Sequence, residues 1–214
     1  MNIILYYGPI ACSLVPYVTL TEAGADFEVR TVNLGKGQQM APDYLKLNPK
    51  HKVPVLVIDG RTLTENVAMH QWVHQTFPQA RILPSDPWEY LQAVSLMSWC
   101  SSGIHPFLTR INNPAKVCDA PGSAEAVVKA ASDNLHENFR IADDLLAGKD
   151  FFFSHFTAPD AHFFWTFRRA QQFKLDVSAY KNCVAHYERM QARPSFQKVL
   201  SFEKETLASF AKAA

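Results

Sequence analysis

The chain has almost no net charge. Its 21 Lys and Arg face 20 Asp and Glu, and charged residues fill only 19% of the 214 positions. Such a balance provides no long-range field for nucleic acid or an anionic membrane, although it leaves room for a small local anion site. No C-x-x-C pair occurs among Cys12, Cys100, Cys118 and Cys183, which argues against a zinc cluster or a dithiol redox motif. Four cysteines this far apart do not make a disulfide scaffold, so a reducing cytoplasm is expected. No basic stretch precedes Ile3, so a signal peptide is not expected. The uncharged run that ends at Glu22 is broken by Tyr6, Tyr7, Gly8, Pro9, Ser13 and Pro16, and is no membrane span of about 20 apolar residues. Hydrophobic residues reach 48% and include 15 Phe, ample for a core and incompatible with global disorder. The length suits one large domain or two small ones.

Residues 2–7 form a short apolar run closed by Gly8-Pro9, the pattern of a buried strand. From Ser13 to Ala23 the apolar spacing turns helical, with Gly24 as a stop. Phe27 to Val32 alternates as a second strand, completing a βαβ unit. Residues 35–50 predict a loop with a short helix at Pro42–Leu47. Val53–Ile58, Asp59-Gly60 and Arg61–Leu63 predict a hairpin, after which Thr64 reads as the N-cap of a helix running from Glu65 to Gln75. Pro78, Pro84 and Pro87 mark a linker, and no comparable strand signal follows. Residues 88–110, 123–147, 160–173 and 178–192 read as helices, and Pro194 opens a last one. The expected organisation is an α/β domain over 1–78 (βαβ-α-ββα), a linker over 79–87 and an all-helical domain over 88–214, without internal repeats.

Three places could carry chemistry. Cys12 lies after a strand and at the start of a helix, where the helix dipole and free N–H groups would lower its pKa; otherwise it is a small buried hydrophobe. Val15 stands three residues on, so Cys12 has no resolving partner in the chain and its redox work would need an external thiol. At Val53-Pro54, a cis bond would leave the Val53 N–H and C=O open to a peptide-like ligand, whereas a trans bond would make an ordinary strand start. Thr64-Glu65-Asn66 offers helix N–H groups for a carboxylate and Glu65 for an ammonium; alternatively it is a capped helix with an acidic first turn. Together they suit a small ligand with a peptide backbone, an amino-acid end and a sulfur.

Four segments, in order and suitably spaced, resemble the cytosolic glutathione transferases, most closely the bacterial beta class: ACSLVPYVTLTEAG, LNPKHKVPVL, LTENVAM and FTAPDAHFFW. The resemblance covers the whole chain and implies a thioredoxin-like N-terminal domain, an all-helical C-terminal domain and glutathione as co-substrate, with no tightly bound cofactor. It places the beta-class cysteine on Cys12, the cis-proline on Pro54 and the γ-glutamyl end on Glu65 and Asn66, with Asn66 in a Ser position. Val53 would pair with the cysteinyl part, and Lys36 or Lys52 would meet the glycyl carboxylate. His105 matches a histidine that faces the sulfur; Pro106 follows it directly, and Ser98 and Ser102 stand near the place of an absent Asn, so Ser102 joins the glutathione set. Other classes activate the thiol with a Ser or a Tyr, which keeps Ser13 and Tyr6 as candidates after Cys12.

Phe107, Trp165 and the run Phe151-Phe152-Phe153 could wall a pocket for a hydrophobic electrophile or belong to the core. His70 and His74 have metal-compatible spacing but no third ligand nearby, so no metal is expected, and both read as partly exposed. Thr157 and Asp160 form a capping pattern with a folding role. The resemblance implies a cytoplasmic homodimer, paired through helices near 65–75 and 88–110, that conjugates glutathione to electrophiles in detoxification or exchanges disulfides. Its rivals are a glutathione-dependent isomerase or dehalogenase on the same fold, and a non-catalytic regulatory protein.

Overall fold

The computed structural model describes residues 1–212. Compactness divides the chain into two units: residues 1–85 with the C-terminal helix, and residues 86–191.

In the first unit, β1 (Ile3–Tyr7), α1 (Leu14–Glu22) and β2 (Glu28–Thr31) form the expected βαβ unit, with β1 and β2 parallel. Gly24 closes α1 at φ +65°, a conformation open to glycine without steric cost. A short helix α2 (Pro42–Leu47) precedes β3 (Val55–Ile58) and β4 (Arg61–Thr64). Both are antiparallel additions, giving the sheet order β2-β1-β3-β4. Asp59 and Gly60 turn the hairpin with φ of 47° and 82°, the paired positive angles of the turn that matches strand twist. Helix α3 (Asn66–Thr76) follows.

Thr64 is not the N-cap of α3. It is the last residue of β4, paired with Val55, and the cap position falls on Glu65. The ladder holds the backbone extended for one residue more than the side-chain pattern suggests.

Helix α3 packs on α1, and His70 is buried there with its Nδ1 3.1 Å from Thr19 Oγ1. The expectation of two partly exposed histidines fails for His70, because α1 covers that face of α3. Burial holds the His70 imidazole near a pKa of about 3, and burial also lowers that of His74. Among the described residues no group of three or more His, Cys, Asp and Glu could hold a metal.

The second unit is helical. It holds α4 (Pro87–Trp99), α5 (His105–Asn112), α6 (Ser123–Leu145), α7 (Ala158–Gln172) and α8 (Lys181–Gln191). The single helix expected over 88–110 is interrupted by a π-helical turn at Cys100–Ile104. Pro106 has no N–H to give to the carbonyl of Ser102, and the widened turn absorbs that loss before α5 resumes. The Trp99 ring lies against the same turn: a Cβ on Gly103 would stand 2.5 Å from Trp99 Cδ1. That ring donates from Nε1 to Asn138 Oδ1 at 2.7 Å, tying the turn to α6.

Asp160 anchors α7 as the capping pattern implies. Its carboxylate accepts from Thr157 N (2.8 Å), Thr157 Oγ1 (2.9 Å) and Phe152 N (3.0 Å), and His186 Nε2 of α8 lies 2.9 Å away. All of this is buried, and a buried carboxylate is tolerated only when hydrogen-bonded this fully.

The last helix, α9 (Pro194–Lys212), packs on α1 in the first unit. Phe202 meets Tyr7 and Tyr17 at ring-centroid distances of 5.6 and 5.5 Å. Arg193, just before the helix, pairs with Glu22 of α1 at 2.9 Å.

Two stability outcomes follow from this packing. Gly103→Ala must push the Trp99 indole away from Asn138, and should cost about 1–3 kcal/mol in thermal unfolding with a shifted tryptophan emission. His70 folds neutral, well below its unfolded pKa of about 6.5. Its contribution is therefore complete above about pH 6.5 and is lost as pH falls toward 3. A His70→Gln variant should show a shallower loss of stability across that window in acid denaturation followed by circular dichroism.

Candidate functional site

The loop from Gly8 to Ser13 carries Cys12 to the start of α1. Ser13 fixes that loop: its Oγ accepts from Gly8 N at 3.0 Å and donates to Gly8 O at 2.8 Å. Gly8 admits no side chain easily, since a Cβ there would meet Leu34 at 3.0 Å and Val53 at 3.1 Å. Ile10 sits at φ +66°, strained for a β-branched residue. Its N–H donates at 2.6 Å to Glu203 Oε2 of α9, which also accepts from Tyr7 Oη at 3.3 Å.

Ser13, the alternative thiol activator by resemblance, faces Gly8 with its hydroxyl. It is fully buried, and its one hydroxyl proton is committed to Gly8 O. Tyr6 is a strand residue whose hydroxyl accepts from Arg30 at 3.3 Å and whose ring sits edge-on to Tyr44.

Cys12 donates its thiol to Val53 O at 3.6 Å. The Val53-Pro54 peptide is cis, as the resemblance implied and as the residues alone did not decide. Val53 belongs to a buried apolar cluster with Val32, Tyr44 and Val55, against which Ala11 packs. The preceding Lys52 carbonyl accepts from Tyr44 Oη at 2.7 Å and Asn48 Nδ2 at 2.8 Å, so the segment before the proline is held from two sides.

Asn66, the first residue of α3, donates from Nδ2 to Cys12 O at 3.2 Å. Its Oδ1 is buried without a hydrogen-bond partner. Glu65 takes φ 74° and ψ 125°, outside the regions a non-glycine residue favours, at a cost of about 1–3 kcal/mol. Its carboxylate is paired with Lys50 Nζ, which also donates to Thr64 Oγ1 at 2.9 Å.

The expectation of a lowered Cys12 pKa is reversed. Burial pushes the thiol up to about 12; its own backbone N–H, Lys52 and Asn66 pull down, and Glu65 pushes up. Loss of solvent around the sulfur outweighs the helix start, so Cys12 is a thiol at neutral pH. All four cysteines are free, and the exposed Cys118 is the opposite case, lowered by its bonds to Ser123 and the Ala120 backbone.

The first unit thus brings together Cys12, Val53, Pro54, Glu65 and Asn66, with Lys52 acting on the thiol by charge. Lys36 lies on the 33–38 loop, where its N–H donates to Asn33 Oδ1 at 3.1 Å. His105, Ser102, Phe107 and Trp165 belong to the second unit. There His105 opens α5 with its ring edge-on to buried Trp165 at 4.5 Å. Ser102 spends its hydroxyl proton on Ser98 O at 2.8 Å, and the Arg110 guanidinium lies 4.7 Å over the Phe107 ring. A cavity of about 620 Å³ in this unit is lined by α4, the end of α6 and residues 149–154. Phe152 and Phe153 belong to its wall, whereas Phe107 and Trp165 do not.

Two positions escaped sequence reasoning. Glu203 lies on the buried stripe Phe196, Val199, Glu203 and Thr206 of α9, and a carboxylate in an apolar helical stripe is a readable sign of a buried partner. Lys50 gave no comparable signal.

The four-stranded mixed sheet with α1 and α3 packed together is a thioredoxin-like domain, followed by an all-helical one. Residues 1–75 match the model of the glutathione S-transferase N-terminal domain, and residues 101–194 that of the C-terminal domain. Glutathione S-transferase GstA of Escherichia coli O157:H7 is 30% identical over 203 residues, 93% of this chain and 98% of that protein. Maleylacetoacetate isomerase of Mus musculus is 30% identical over 183 residues, 83% of this chain and 82% of that one. The bacterial beta class glutathione S-transferase of Sphingomonas chungbukensis superposes with a TM-score of 0.82 at 31% identity, covering 94% of this chain and 98% of that chain. The chain belongs to the glutathione S-transferase family.

The two non-core thiol environments give a direct test. At pH 7 iodoacetamide should label Cys118 well before Cys12, by peptide mapping. The Cys12 rate should climb about tenfold per pH unit through pH 10 without a plateau.

Proposed function

We propose that this chain is a glutathione transferase whose glutathione lies along Val53, with the sulfur beside Cys12 and the amino-acid end at Glu65 and Asn66. The observation that carries the reading is the convergence of Cys12 Sγ on Val53 O and of Asn66 Nδ2 on Cys12 O. These contacts bring a thiol, the residue before the cis-proline and a helix start within one loop cluster. A peptide-like ligand pairing with Val53 would compete for the carbonyl that Cys12 now holds. Lys52 or Lys36 would meet the glycyl carboxylate by charge.

Two reactions fit this placement. In conjugation, the glutathione thiolate attacks an electrophilic carbon, the new C–S bond forms, and the leaving group departs with its electron pair. In exchange, the Cys12 thiolate attacks the glutathionyl sulfur of a mixed disulfide, the S–S bond breaks and the other thiol leaves as thiolate. A second glutathione thiolate then attacks the glutathionyl sulfur on Cys12, freeing the Cys12 thiolate and releasing oxidised glutathione. A thiol held as high as Cys12 must first lose its proton, so exchange should quicken with pH.

The likeness to a maleylacetoacetate isomerase supports one alternative, glutathione-dependent isomerisation at the same glutathione site. A turnover panel with aryl halides, disulfides and maleylacetoacetate separates the three chemistries. Helices α3 and α4 would form a homodimer interface; exposed Trp88 and Leu91 on α4 offer apolar surface for a second copy. Among the described residues no helix is long and apolar enough to cross a membrane. The resemblance to cytosolic glutathione transferases supports a cytoplasmic, detoxifying role.

Calorimetry with reduced glutathione tests the reading. Wild type and Cys12→Ala should both bind one glutathione per subunit, while only the wild type should exchange with oxidised glutathione. Absence of binding by the wild type would sink the proposal.

A further inference from the structure

The carboxylate of Glu65 already has a cation. Lys50 Nζ sits on Glu65 Oε1 and donates to Thr64 Oγ1 at 2.9 Å. Lys50 comes from the same loop as Val53, and that loop is fixed at its backbone. Asn48 Oδ1 accepts from Lys50 N at 3.1 Å, His51 N donates to Asn48 O at 2.9 Å, and Asn48 Nδ2 holds Lys52 O. The root of the side chain is therefore tethered, while the stem and ammonium stay about half in solvent. Glu65 keeps its strained φ of 74° even with this partner in place.

Resting on the glutathione reading above, we infer that Lys50 is a tethered occupant of the ammonium position on Glu65, which a γ-glutamyl ligand must displace. Binding then exchanges one ammonium for another at Glu65. A ligand without an α-ammonium leaves Lys50 where it is, and Lys50 screens that ligand's carboxylates from Glu65. Lys50 therefore loosens the grip on glutathione and at the same time blunts discrimination against ligands that lack the amino group. Discrimination by an unpaired charge is the general route to specificity, and here the chain carries a device that masks it. An exposed ion pair is weak, so the masking is partial and reversible.

The test is calorimetric, with reduced glutathione and with the analogue whose glutamyl α-amino group is replaced by hydrogen. Lys50→Met should bind glutathione about two- to fivefold more tightly than wild type, most clearly at low salt. The same variant should bind the des-amino analogue more weakly than wild type, because Glu65 is then unscreened. Lys50→Arg should restore wild-type behaviour toward both, and in a Glu65→Gln background Lys50→Met should change neither. Weaker binding of both ligands by Lys50→Met would mean that Lys50 contacts the ligand carboxylate, and would overturn the inference. Unchanged binding of both would overturn it as well. A wild type that binds no glutathione would instead remove the glutathione reading, and this inference with it.

Discussion

The position of Cys12 depends on how one short loop is pinned at both ends. Gly8 and Ser13 exchange two hydrogen bonds across the loop, and Glu203 takes the N–H of Ile10 between them. Ile10 pays a conformational cost at φ +66°, and a charge-assisted bond to a buried carboxylate is a strong way to offset it. Gly8 suits this loop because a Cβ there would stand 3.0 Å from Leu34 and 3.1 Å from Val53. Remove this pinning and the sulfur loses its alignment with Val53, and Asn66 loses the Cys12 carbonyl. The rest of the site is arranged around that loop.

The pinning explains why the last helix matters to chemistry near the first strand. Helix α9 lies about 190 residues from β1 in sequence, yet it supplies the carboxylate that sets the loop. The aromatic contacts of Phe202 with Tyr7 and Tyr17, and the Arg193–Glu22 pair, hold it against α1. Glu203 is buried, and its Oε2 directs the loop because its donors are Tyr7 Oη and Ile10 N.

Electrostatics at the site run against the helix-start argument. A thiol at the beginning of a helix gains from the dipole, by about 0.3–1 kcal/mol at ordinary exposure. Removing the solvent from a thiolate costs more, and Glu65 adds a like charge nearby. The balance keeps the free enzyme's cysteine protonated. The carboxylate that raises the thiol is the one already paired with the Lys50 ammonium.

Local pattern was enough for the strands, the Asp-Gly hairpin, the capping of α7 and the helical character of the second unit, because each depends on neighbours in the chain. The resemblance carried Cys12, Val53, Pro54, Glu65 and Asn66 to one site, and the fold places them together. What sequence could not supply was any quantity set by distant contacts. Thr64 belongs to β4 because Val55 pairs with it, and His70 is neutral because α1 covers it. Ser13 is spent on Gly8, and the helix through Trp99 widens to pass Pro106. The cysteine's pKa rises because desolvation is a property of the surrounding volume, which no local run of residues encodes. Sequence alone determined which groups were available for chemistry; tertiary packing decided which of them keep a free proton, a free lone pair or a charge, because solvent exclusion and partner geometry arise only when distant segments meet.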